Sequence, residues 1–264
     1  MPNIVCYDSI EKTSARKGKI DYIVIHYTAG ASSLAGVAVA NAKYYANKDN
    51  NTQASADFFV DDKTIVQYNR DLFNRYTWAV GSGKSKYNTH GGKDFWRCTN
   101  RNSVSIEMCS SNRSGKMTTP NDPNYYFTDF VINNTVILVR YLMDVLNIDA
   151  DHVIRHYDVT GKLCPGIIGW NEDSGNTRAW DAFKTRLTEA EKVDINTLTE
   201  YDCYKIMEKA RRYYASQPLP ATWDAESELK EAVKTGITDG TRPMDMTSRL
   251  ETAVMIKRAM KAKE

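Results

Sequence analysis

Arg155-His156-Tyr157-Asp158-Val159-Thr160-Gly161-Lys162-Leu163-Cys164-Pro165-Gly166 sets an imidazole and a thiol eight positions apart across a glycine-containing loop, with a lysine two residues before the cysteine. Far upstream, Ile23-Val24-Ile25-His26-Tyr27-Thr28 brings a second histidine to the end of an apolar run. That run is apolar at both odd and even positions, which predicts a strand buried on both faces in a sheet covered by helices. Imidazole and thiolate are favoured zinc donors, and three protein ligands leave a fourth position open, as catalytic sites do. His26, His156 and Cys164 are therefore the candidate metal ligands, and the expected chemistry is hydrolysis.

Around these stretches the pattern alternates strands and helices. Short strands are expected at Asp57–Val60 and Thr64–Tyr68, joined by a turn at Asp61-Asp62-Lys63. A helix is expected over Ser33–Asn47, and a long one from a Thr128 cap to Asn147 with apolar residues at the helical period. Asn102–Cys109 alternates strictly, with Val104, Ile106 and Met108 on one face and Ser105, Glu107 and Cys109 on the other. His152–His156 reads as a last strand and Arg178–Leu187 as a closing helix. Residues 81–102 form a long polar excursion, and loops of that length are often functional.

The composition turns polar and charged after Leu187, so a boundary is placed at residue 192. The expected architecture is α/β, with residues 1–192 as the catalytic domain and 193–264 as a small helical domain. In the latter, Thr199 caps a helix bearing Cys203, Ile206, Met207 and Ala210. Trp223–Val233 reads as a second helix, and Ser248 with Glu251 form a capping box for a third.

Glu107 is the candidate proton carrier, because a carboxylate inside a strand is disfavoured by propensity and needs another reason to be there. Lys162 would supply a cation for the developing oxyanion. His90 and His152 are set aside: the first lies in the polar loop, and a strand at Val153-Ile154 would keep His152 from sharing an ion with His156. A net charge of +2 gives no electrostatic grip on nucleic acid, and no run reaches the roughly 18 apolar residues of a membrane span. The chain opens without a cationic segment followed by an apolar one, so no secretory signal is expected. Five scattered cysteines fit synthesis in a reducing cytosol.

Four stretches carry a resemblance: Ile23–Thr28, Ala54-Ser55-Ala56-Asp57-Phe58-Phe59-Val60-Asp61, Ser103-Val104-Ser105-Ile106-Glu107-Met108-Cys109, and His156–Gly166. Over about residues 15–190 the chain resembles the type 2 N-acetylmuramoyl-L-alanine amidases, whose fold is shared with peptidoglycan recognition proteins, and in particular the phage endolysin branch. The resemblance implies a mixed central sheet flanked by helices, one zinc ion, and cleavage between the lactyl group of muramic acid and L-alanine. It carries zinc binding onto His26, His156 and Cys164, catalysis onto Glu107 and Lys162, and a substrate-lining aromatic onto Trp78.

Two departures stand out. Asp57-Phe58 occupies a place where many relatives have His-Tyr, and Ala56 stands where some have a tyrosine. The tail from Trp223 to Met260, with Gly236–Pro243 followed by an amphipathic helix, resembles part of an S-layer-homology module, which implies binding to secondary cell-wall polymers, with dimerisation as the competing reading. Release to the wall through a separate holin-type protein is the expected route. A recognition module that does not cut, and a hydrolase with Cys164 as nucleophile, are the rival functions.

Overall fold

The computed structural model describes residues 3–7, 9–81, 91–189, 225–238, 255, 256, 258 and 260. The chain divides into two compact units, Met1–Ala190 and Glu191–Glu264. The first holds a six-stranded mixed sheet with strand order β1-β5-β4-β7-β3-β10. These strands are β1 (Asn3–Cys6), β3 (Tyr22–Tyr27), β4 (Phe58–Val60), β5 (Thr64–Gln67), β7 (Ser103–Met108) and β10 (Val153–Arg155). Within this sheet β4 and β5 pair antiparallel and the other neighbours parallel; the expected turn joins β4 to β5, where the Asp61 N–H donates to the Thr64 carbonyl (3.0 Å). Two small ribbons, β2 (Thr13–Ala15) with β6 (Arg75–Thr77) and β8 (Ser111–Asn112) with β9 (Tyr125–Tyr126), flank the sheet.

Parallel strands need cover on both faces, which explains the apolar run of β3. One face carries Ile23, Ile25, Val104, Ile106, Met108 and Phe58. It packs with Val131, Leu138, Val139 and Leu142 of α2 (Asp129–Leu146) and Trp180, Phe183 and Leu187 of α4 (Arg178–Thr188). Each such side chain taken out of water contributes about 1.5–3 kcal/mol. The Thr128 hydroxyl caps α2 by accepting from the Val131 N–H (3.2 Å), and Asn147 ends it in the left-handed conformation (φ 52°).

The opposite face is covered in two separate patches. Ala38 and Ala42 of α1 (Val37–Ala46) lie over Phe59 and Val66, while Val80, Cys98 and Val159 lie over Val24 and Ile154. Between the patches lie Glu107 and His26, which continue the register row of Phe59 across β4, β7 and β3. The gap between the two patches is where the site forms.

Two elements differ from expectation. The first helix starts at Val37 rather than Ser33, because Asp61, from the hairpin turn, accepts the Gly36 and Ala38 N–H groups (2.9 and 3.0 Å). His156 does not end a strand but opens α3 (His156–Thr160), and His152 sits in a short 3-10 turn, exposed and bonded to Asp149 through Nδ1 (2.6 Å).

Below α3, the buried Arg155 guanidinium grips both Asp158 carboxylate oxygens (2.9 and 2.7 Å), the Trp170 carbonyl (3.0 Å) and Glu172 (2.8 Å). Arg155→Met would strand a buried Asp158 charge and should cost about 3–5 kcal/mol of stability in urea denaturation. Arg155→Lys should recover only part, because an ammonium cannot reproduce the two-pronged grip.

In the second unit, α5 (Ala225–Lys234) overlaps the Trp223–Val233 expectation, starting two residues later and ending one residue later. The helix expected around Thr199, Cys203, Ile206, Met207 and Ala210, and the Ser248–Glu251 box, lie outside the described residues, as does His90. No helix of the described residues is long and apolar enough to cross a membrane.

Candidate metal centre

His26 comes from the end of β3, His156 from the first turn of α3, and Cys164 from the loop that follows. That loop folds back because Gly161 takes a left-handed turn (φ 73°) at the end of α3, and the Tyr157 N–H then donates to the Cys164 carbonyl (2.9 Å). The three side chains converge, with their ligand atoms within 4.8 Å of one another. The His26 and His156 rings meet edge to face at 4.7 Å, and Cys164 Sγ lies 3.8 Å from His26 Nδ1.

The hydrogen bonding fits a metal. His156 Nε2 lies 3.1 Å from the Val80 carbonyl, so it carries the proton and leaves the Nδ1 lone pair free. That Nδ1, together with His26 Nε2 and Glu107 Oε2, is buried with no hydrogen-bond partner among the described residues. Each such orphan costs about 1–3 kcal/mol if nothing fills it. A neutral imidazole whose other nitrogen is pinned to a carbonyl is the usual state of a histidine metal ligand.

Electrostatics agree. Burial, then the Lys162 charge, pushes His156 down to about 3; burial, then His156 and Lys162, holds His26 well below its ordinary value. Both imidazoles are neutral donors at pH 7. Burial pushes the Cys164 thiol up to about 12, with Glu107 adding to the rise and Lys162 opposing it. A catalytic cysteine needs the reverse, an exposed thiol with a depressed pKa, so Cys164 does not suit a nucleophile, whereas a bound metal would itself draw the proton from a ligating thiol.

Glu107 faces the cluster as the register partner of His26. Its side chain keeps some contact with solvent, as a proton carrier must, while burial pushes its carboxyl up to about 8 and Lys162 pulls it back. Lys162 itself is exposed, and its charge acts on all four groups.

Trp78 is half-buried on the segment leading to Val80, with its indole N–H donated to Ser14 Oγ (2.9 Å) and its backbone N–H to Ser55 Oγ (3.0 Å). Asp57 is apart from the centre, fully buried and bonded to Asn69, Thr77 and the Ser105 N–H, while Ala56 packs beneath α1. The sequence reading missed two participants. The Val80 carbonyl is a backbone group, invisible to residue-type arguments. Tyr45 of α1 stacks on Phe59 (5.4 Å, 19°), next to Glu107 in the sheet, and burial followed by the Glu107 charge raises its hydroxyl pKa.

The chain is similar to several known proteins. The family described as N-acetylmuramoyl-L-alanine amidase (Amidase_2) matches residues 16–167. The N-acetylmuramoyl-L-alanine amidase CwlA of Bacillus subtilis (strain 168) is 27% identical over 245 residues, covering 92% of this chain and 72% of CwlA. XlyA of the same organism is 30% identical over 165 residues, covering 62% of this chain, and the match spans only 42% of XlyA. Among solved structures, the catalytic domain of XlyA aligns at a TM-score of 0.48 with 28% identity, covering 70% of this chain and 99% of that one. A mutant endolysin from Bacillus subtilis aligns at 0.49 with 27% identity, covering 71% and 99%. The family match takes in His26, Glu107, His156, Lys162 and Cys164 together, and on that ground the chain belongs to the N-acetylmuramoyl-L-alanine amidase family of enzymes.

Proposed function

We propose that this chain hydrolyses the amide between the lactyl carbonyl of N-acetylmuramic acid and L-alanine in peptidoglycan, as an endolysin or autolysin, with a zinc ion held by His26, His156 and Cys164. The observation that carries this reading is the convergence of three buried donors from separate elements beside a carboxyl and a lysine. When bound, zinc would polarise the scissile carbonyl and make a water acidic enough to attack it at neutral pH.

The residues divide the remaining work. Glu107, as carboxylate, takes the proton of the attacking water and returns it to the leaving amine of L-alanine. The Lys162 charge offsets the negative oxygen of the tetrahedral intermediate and pulls the Glu107 carboxyl back toward its ionised form. The half-exposed ring of Trp78, fixed by Ser14, offers a wall for the substrate.

Digestion of purified peptidoglycan tests the bond. New N-terminal alanine without new reducing sugar ends is expected. Reducing ends would make the enzyme a glycosidase, and no cleavage with retained muropeptide binding would make it a recognition module.

A further inference from the structure

We propose that Asn100 is a positioning residue of the metal centre: its side-chain oxygen gathers the backbone N–H groups of Ala79, Val80 and Gly81 and so holds the Val80 carbonyl against His156. This inference rests on the zinc reading above and adds to it a residue outside the ligand set.

The three N–H groups lie 3.1, 2.7 and 3.1 Å from Asn100 Oδ1. Three donors on one atom require that atom to be the amide oxygen, since the amide nitrogen cannot accept. Successive N–H groups converging on one point form a nest of the kind that usually holds an anion. Here a neutral side chain fills it, and the middle residue of the nest is Val80, whose own carbonyl receives the His156 Nε2 proton. Asn100 therefore acts through Val80 on which imidazole nitrogen of His156 is free to ligate.

Asn100 is itself held in place. Asn102 Oδ1 accepts both the N–H (2.9 Å) and the hydroxyl (3.1 Å) of Thr99, and the Ser103 hydroxyl donates to the Thr99 carbonyl (2.7 Å). Ser103 begins β7, the strand that carries Glu107. One short stretch thus locates the proton carrier directly and the His156 tautomer through two hydrogen bonds. Partners that orient a metal-bound histidine typically matter about 10–100-fold in metal affinity.

Zinc affinity of the full chain, measured by competition with a chromophoric chelator, provides the test, with the melting midpoint of the zinc-free protein as fold control. Asn100→Ala should weaken zinc binding by about 10–100-fold, and Asn100→Asp, which keeps an acceptor oxygen in the nest, should stay within about threefold of the wild type. Unchanged affinity in Asn100→Ala, or equal losses in both variants, overturns the proposal. A wild type that binds no zinc would instead sink the metal reading, which separates the two failures. Should Asn100→Ala not fold, imidazole ¹⁵N shifts of the zinc-free wild type decide: a His156 Nε2–H tautomer is expected, and an Nδ1–H tautomer overturns the proposal.

Discussion

Treatment of the full chain with 1,10-phenanthroline is expected to abolish peptidoglycan hydrolysis, and added Zn²⁺ to restore it. Losing the polarised carbonyl and the acidified water removes several kcal/mol of transition-state stabilisation, a fall of about 10³-fold or more in kcat/KM. Iodoacetamide should do little by comparison, because Cys164 is 2% exposed and its thiol is pushed up to about 12. The rival Cys-nucleophile reading demands the opposite pair of results.

Zinc affinity should also depend on pH with a defined slope. Near neutrality both imidazoles are already neutral and the thiol is protonated, so each ion bound expels one proton, from Cys164. Affinity should therefore rise about tenfold per pH unit between about pH 6 and 8. A flat profile would mean the sulfur is not a ligand. Cys164→Ser should bind zinc far more weakly. Its melting midpoint should no longer respond to zinc, whereas in the wild type a concentration 100 times Kd adds about 2.7 kcal/mol.

Much of this centre was legible in the amino-acid sequence, for identifiable reasons. His26 ends a strand whose double-sided apolarity is a local signal, and β7 shows Glu107 on the polar side of a strict alternation. Thr128 and Asn147 mark both ends of α2 by side-chain chemistry alone. What escaped depends on partners distant in the chain. β1 is four residues long, with no alternation to mark it, and exists because β5 accepts it in parallel register. The β2–β6 ribbon, three residues a side, is too short to carry a period.

The sequence pattern predicts a strand through His156 because Val153-Ile154 dominates its neighbourhood. Yet Asp158 accepting the Arg155 N–H (2.8 Å) and Gly161 closing the turn are both helix-end signals within six residues. The Val80 carbonyl and the Asn100 nest leave no compositional trace, since one is backbone and the other is an asparagine among several in a polar loop. The candidate ligands were readable as residue types, and the groups that aim them were not.

Glu107→Gln should retain zinc and lose turnover, by about 10²–10⁴-fold in kcat/KM, the usual contribution of a positioned acid–base group. The substitution keeps the shape of the side chain and removes only its ability to cycle a proton. It should not destabilise the protein at pH 7. An acid whose folded pKa is raised, here to about 8, lowers stability at every pH above its unfolded value, and glutamine has no such penalty. Lost activity in Glu107→Gln therefore cannot be laid to unfolding, and a melting midpoint at or above that of the wild type is expected.

Lys162 supplies an independent check on the same residue. Its charge is what opposes the burial-driven rise at Glu107, so Lys162→Met should raise that pKa further. The active form is the carboxylate, so kcat/KM rises with pH through the Glu107 titration, and in Lys162→Met this acidic limb should shift to higher pH. A limb that stays in place, or Glu107→Gln retaining more than about a tenth of wild-type kcat/KM, would transfer the proton-carrying role to another group. Tyr45, which stacks on Phe59 beside Glu107, would be the next residue to substitute.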